Sequence, residues 1–151
     1  MKPAFVVAMA VLTCAAPASA DWQNTKWGMK EAEVLALPGV SPLSPGDASG
    51  KSMPGANLFA RIHSSYSIPD YQFDAIYMFN TSGQLAAVNL ELVRGSPAAL
   101  RGELMAKYGK PTENKGAVIF WNTETDKVMF SNIIGANVLY EPRVTANNKG
   151  L

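Results

Sequence analysis

His63 is the only histidine of this 151-residue chain. Ser65 stands two positions beyond it, and Asp74 and Glu91 follow on the next two apolar stretches. A serine, an imidazole and a carboxylate are the parts of an acyl-transfer site, in which the base takes the hydroxyl proton and the acid orients the base. Residues two apart on one strand lie on the same face, so Ser65 and His63 are neighbours, but nothing beside them offers an oxyanion hole. Asp74 and Glu91 could together hold calcium, yet no adjoining loop supplies the further oxygens that ion requires. Glu31 and Glu33 are two apart on a helix and do not face each other. The sequence has no phosphate loop, dinucleotide fingerprint, nucleophile elbow or paired-histidine zinc motif. One histidine and one cysteine, Cys14, are too few for a structural zinc site. No metal or cofactor is therefore expected, and no residue is assigned a catalytic role.

The elements that must position these side chains follow from apolar spacing and punctuation. Gly28-Met29 opens a short helix through Glu31, Val34 and Leu37, which Pro38-Gly39 stops. Ser41 to Gly55 is rich in Pro, Gly, Ser and Asp and predicts a long surface loop. Leu58–Ile68, Tyr71–Asn80 and Gln84–Val93 alternate as strands, with Pro69-Asp70 and Ser82-Gly83 between them as turns. Ser96-Pro97 begins a second helix, with serine as its cap, and Leu100, Leu104 and Tyr108 form its buried stripe. Gly109 ends that helix, and Gly102 inside it predicts a close backbone approach. Ala117–Trp121, Lys127–Ile133 and Asn137–Glu141 are three more strands, and the polar tail 145–151 is expected to fray.

The order α-βββ-α-βββ implies an α+β fold: a two-layer domain, an antiparallel sheet with two helices on one face. Phe79-Asn80-Thr81-Ser82-Gly83 echoes Trp121-Asn122-Thr123-Glu124, which allows a degenerate duplication with chance as the competing account. If both turns have two residues, Tyr66 faces Phe73, Ile62 faces Tyr77, Ala60 faces Phe79, Phe79 faces Ala86, Tyr77 faces Val88, Ala75 faces Leu90 and Phe73 faces Leu92. A one-residue slip would destroy that apolar face. The opposite face then carries Phe59, Arg61, His63, Asp74, Ile76, Met78, Leu85 and Glu91, apolar at one end and acidic at the other. Asp74 would sit directly opposite Glu91, an arrangement that destabilises a sheet unless a cation compensates or the two side chains splay into water. The apolar end predicts either an interface or a cover formed by the 41–55 loop or the last three strands. In those last strands Ile119, Trp121, Val128 and Phe130 share one face, and Val118, Phe120, Met129 and Ile133 the other. Of the three tryptophans, Trp22 is expected to be the most exposed, beside Trp27 and Trp121.

Location is written in the first twenty residues. Lys2, an apolar run from Ala4 to Thr13 and the small residues Ala18-Ser19-Ala20 make a signal peptide at 1–20, too short for a membrane span. Cleavage after Ala20 leaves a periplasmic or secreted chain, 21–144 being one α+β domain. Thr13 is bulky for the residue preceding an acylated cysteine, so a lipid anchor at Cys14 is not expected. Without Lys2 the acidic and basic side chains balance at 12 each, which argues against nucleic acid and acidic membranes as partners.

Trp27-Gly28-Met29 before a short helix and Lys107-Tyr108-Gly109-Lys110-Pro111 after a longer one resemble small exported proteobacterial proteins of unknown function. The helix-then-hairpins layout also resembles the SmpA/OmlA outer-membrane assembly lipoproteins and the β-lactamase inhibitor proteins. Those families use sheet and loops to bind other proteins, and this resemblance implies the same here. The chain departs from both: the lipoproteins carry an acylated cysteine and the inhibitors carry disulfides, which a mature chain without cysteine lacks. The leading expectation is a non-catalytic protein–protein binding module of the periplasm. A carrier for a small apolar ligand and a weak hydrolase using His63 are the alternatives.

Overall fold

Alternating apolar residues between 59 and 94 settle into three long antiparallel strands, and the rest of the chain is arranged around them. The computed structural model describes residues 22–143, so the expected signal peptide, Cys14 and the 145–151 tail lie outside it. The elements are α1 (Glu31–Leu35), β1 (Val40–Pro42), α2 (Pro45–Lys51), a 3₁₀ turn (Pro54–Ala56), β2 (Phe59–Ile68), β3 (Tyr71–Phe79), β4 (Leu85–Arg94), α3 (Pro97–Tyr108), β5 (Glu113–Asn114), β6 (Val118–Asn122), β7 (Asp126–Asn132) and β8 (Ala136–Pro142). All eight strands form one antiparallel sheet in the order β1-β2-β3-β4-β8-β7-β6-β5. The α+β class holds. The expected α-βββ-α-βββ order lacked β1, α2 and β5, and the region 41–55 is not a plain loop.

Five of the seven expected pairs form: Tyr66–Phe73, Ile62–Tyr77, Tyr77–Val88, Ala75–Leu90 and Phe73–Leu92. Ala60–Phe79 and Phe79–Ala86 do not. Ala60 instead faces Met78, and Phe79 faces both Phe59 and Leu85. The β3–β4 turn has three loop residues, Thr81 to Gly83. The Asn80 side chain caps it by accepting from the backbone N–H of Ser82 (2.9 Å) and Gln84 (3.0 Å). That longer turn slips the register by one, and a bulge at Ala86 slips it back, so the pairs from Met78–Ala87 to Phe73–Leu92 are those a two-residue turn would make; a second bulge at Val93 then sets Gln72 opposite Arg94. On β2, Arg61 is an extra residue of the same kind.

The inner face of the sheet holds the larger core. Val34 of α1 and Leu100 and Leu104 of α3 pack there with Ile62, Phe73, Tyr77, Phe79, Leu85, Ile119, Trp121, Val128, Phe130 and Val138. Both expected helices thus share one face, but α2 lies over the other and makes a partial third layer. The Ser96 hydroxyl accepts from Ala99 N–H at the start of α3, as its Ser-Pro sequence requires. Gly102 does not mark a close approach: a Cβ there would meet nothing within 4 Å. Gly102→Ala should therefore raise stability by about 1 kcal/mol, the helix-propensity difference alone. A denaturant midpoint at or below that of the parent would contradict this.

Candidate functional site

The expected juxtaposition of Asp74 and Glu91 is present, on the rung Ser65/Asp74/Glu91 beside His63/Ile76/Asn89. The cation between the two carboxylates comes from this chain. Lys51, at the end of α2, pairs with Glu91 and stands 4.0 Å from Asp74 Oδ2. His63 Nδ1 lies 3.0 Å from Asp74 Oδ1. The carboxylates therefore do not splay into water. On the neighbouring strand Asn137 Nδ2 donates to buried Asn89 Oδ1 at 2.8 Å, which satisfies the one polar side chain buried on this face.

Lys51 reaches this place because residues 40–58 form an arm across the outer face. β1 pairs with β2 through Val40–Ser64, Ser41–His63 and Pro42–Ile62, and Leu43 N–H donates to the Arg61 carbonyl. Ser44 caps α2 through Asp47 N–H, with Pro45 at the first helical position. Ser52 ties the far end down, its hydroxyl accepting from Ala60 N–H at 2.9 Å. Leu43 and Met53 of the arm then cover Ala60, Ile76, Met78 and Ala87.

This arm divides the eight candidate residues. Ile76 and Met78 are 0% exposed beneath it, and Leu85 belongs to the inner core because of the Ala86 bulge. Of the two alternatives for the apolar end, Ile76 and Met78 take the cover by the 41–55 segment, and Leu85 has left that face. Arg61 is exposed and stands 6.0 Å over the Phe59 ring, and both line a shallow groove of about 460 Å³ against Leu43, Pro45 and Pro54. His63, Asp74 and Glu91 remain partly accessible around Lys51.

Chemically, His63 with Nδ1 on a carboxylate is placed to exchange a proton at Nε2. Among the described residues no hydrogen bond joins Ser65 to it, and the adjacent Ser64 hydroxyl instead meets Tyr77 on the inner side at 3.1 Å. Among the described residues, no three His, Cys, Asp or Glu side chains converge as a metal site.

Two features escaped the sequence reading. The first is an aromatic cavity of about 230 Å³ on the inner side, lined by Trp22, Trp27, Tyr66, Leu90, Tyr140, Lys107 and Asp126. Trp22 is half-buried there, as Trp27 is, and lies edge-on to Tyr66 and Tyr77 at 5.6 and 5.7 Å. Burial and the neighbouring Tyr108 hydroxyl push the Tyr140 hydroxyl far up from its ordinary value. Trp27 Nε1 is buried with no hydrogen-bond partner among the described residues. Lys107 also borders a wider groove of about 420 Å³ that contains Lys110, Arg143, Thr112 and Asn122.

The second feature is one end of the sheet. Antiparallel pairing brings the end of β2, the end of β4 and the β7–β8 turn to the same side. Ile68 (37% exposed), Val93 (62%), Ile133 (69%) and Ile134 (101%) all stand there. At about 4.8 Å per strand they span roughly 20 Å from β2 to β7. No helix among the described residues is long and apolar enough to cross a membrane. No known family, curated protein or solved structure matches this chain.

Proposed function

We propose that this chain is an exported, non-catalytic protein-binding module of the periplasm, cleaved after Ala20. Its docking surface is the end of the sheet that carries Ile133 and Ile134. The observation behind this reading is the exposure of two adjacent isoleucines at a hairpin tip, with Val93 and Ile68 on the same side. Large apolar side chains gathered on one surface favour a partner over water, and the partner's matching feature is an apolar recess. The outer face was the earlier candidate, but its apolar residues are already covered by the chain's own arm.

The test is capture from a periplasmic extract by the mature chain, run beside an Ile133→Asp, Ile134→Asp variant. The hairpin tip is solvent-exposed, so the variant should unfold at the parent's temperature. A protein retained by the parent and reduced about tenfold or more on the variant is the expected result, since central apolar anchors contribute most of an interface's energy. Equal retention by both, or nothing retained by the parent, would remove the reading.

A further inference from the structure

The aromatic cavity has walls of one kind and a mouth of another. Trp22, Trp27, Tyr66 and Tyr140 surround it, with Leu90 as the only aliphatic side chain. Flat rings at right angles to one another, as Trp22 is to Tyr66, leave faces and edges against which another ring can pack. The volume of about 230 Å³ equals roughly eight water-sized portions, room for a molecule of about ten non-hydrogen atoms.

Charge at the mouth selects among such molecules. Lys107 has no carboxylate partner among the described residues and sits 5.1 Å over the Tyr108 ring. It is shared with the wider groove, where Lys110 and Arg143 add two more cations. Arg143 Nη1 donates to the Thr123 carbonyl, and among the described residues no carboxylate pairs with it. Two acids stand against these cations, Asp126 in the cavity and Glu124 in the wider groove, so three positive side chains meet two negative ones. Positive charge is in surplus by one, and Lys107 is the cation that lines the cavity itself.

We propose that this cavity binds a small aromatic carboxylate, its ring among Trp22, Trp27, Tyr66 and Tyr140 and its carboxylate on Lys107. This site lies on the inner side, apart from the hairpin tip, and its success or failure is independent of protein docking there. An organic cation is the competing ligand, because aromatic rings beside Asp126 attract positive charge as well.

The experiment is calorimetric titration of the mature chain with three probes that share one ring: phenylacetate, uncharged phenylacetamide and benzyltrimethylammonium. Phenylacetate should saturate with a Kd of about 0.1–1 mM, a range ordinary for a ligand of this size. Phenylacetamide should bind about tenfold more weakly, for want of the charge-assisted contact. Lys107→Gln should weaken phenylacetate by about fivefold or more and leave phenylacetamide unchanged, a pattern that general unfolding would not give. The Ile133→Asp, Ile134→Asp variant should bind phenylacetate as the parent does. Three outcomes would each overturn the proposal: no saturable heat with phenylacetate up to about 10 mM, tighter binding of the ammonium probe, or unchanged phenylacetate affinity in Lys107→Gln.

Discussion

Gly95→Ala is expected to cost roughly 2–5 kcal/mol, the sum of a strained backbone and an overpacked contact. Gly95 joins β4 to α3 with φ +130°, a conformation that side chains rarely adopt. A Cβ there would lie 2.5 Å from Tyr71 Cδ1 and 3.0 Å from the Asp70 carbonyl oxygen. Neither neighbour can move aside easily. The Asp70 carbonyl is part of the β2–β3 turn. The Tyr71 ring is buried, stacks 6.0 Å from Phe73, and its hydroxyl donates to Glu103 Oε1 at 2.8 Å. That hydrogen bond to Glu103, with burial behind it, pushes the Tyr71 hydroxyl up to about 12. The ring is thus pinned at both ends, and Gly95 is the point where the β2–β3 turn, the start of β3, the end of β4 and α3 meet. Equilibrium urea unfolding of the variant beside Gly102→Ala makes the test internal, since the same substitution should act in opposite directions at the two positions. A Gly95→Ala midpoint within error of the parent would show that the junction relaxes at no cost.

Apolar alternation read the middle of the sheet well and its ends badly, for a physical reason. A period of two constrains the interior of a strand, where a one-residue slip moves a whole face into water. It does not constrain the turn. Nothing in the alternation of 71–93 distinguishes a two-residue turn from a three-residue turn followed by a bulge, because both give Tyr77–Val88 and Ala75–Leu90. The difference appears only between the turn and the bulge, where Leu85 changes face and joins the inner core. The Arg61 bulge does the same to the start of β2. Both slips fall on the apolar end of the predicted outer face, where alternation alone left an interface and a cover by 41–55 as alternatives, and the cover is what forms.

The arm was missed for a different reason. Ser44-Pro45 is the same helix start as Ser96-Pro97, and both serines accept the capping hydrogen bond. At 96 the signal was followed by leucines at helical spacing. At 44 it was followed by Gly-Asp-Ala-Ser-Gly-Lys, which carries no buried residue at all. A seven-residue helix without an apolar stripe is not stable by itself, and its place is fixed by contacts at its two ends with β2 and β4. Such contacts are absent from any local window. The aromatic cavity was illegible on the same grounds, since its lining comes from positions as distant as 22 and 140. The Asp74–Glu91 rung, by contrast, needed only the register, and the need for a cation beside it followed.

That cation gives the second large effect. Lys51→Glu should lower stability by about 2 kcal/mol, more than an exposed ion pair usually contributes. The excess arises because the substitution both removes a pair and brings a third carboxylate to Asp74 and Glu91, which already face each other across the strands. The loss should be local: hydrogen exchange at 41–58 should quicken and expose Ile76 and Met78, while β6 to β8 keep their protection. Exchanging the charges, with Lys51→Glu and Glu91→Lys together, tests whether the interaction and not the residue matters. Lys at 91 would stand between Asp74 and the new Glu, so the double variant should recover at least half of the loss, a coupling of about 1 kcal/mol. If the double variant is as weak as the sum of its parts, the arm is held by Leu43, Met53 and the Ser52 hydrogen bonds alone. If it recovers, the arm closes on the sheet through charge, and raising the salt concentration should loosen 41–58 in the parent before it affects the inner core.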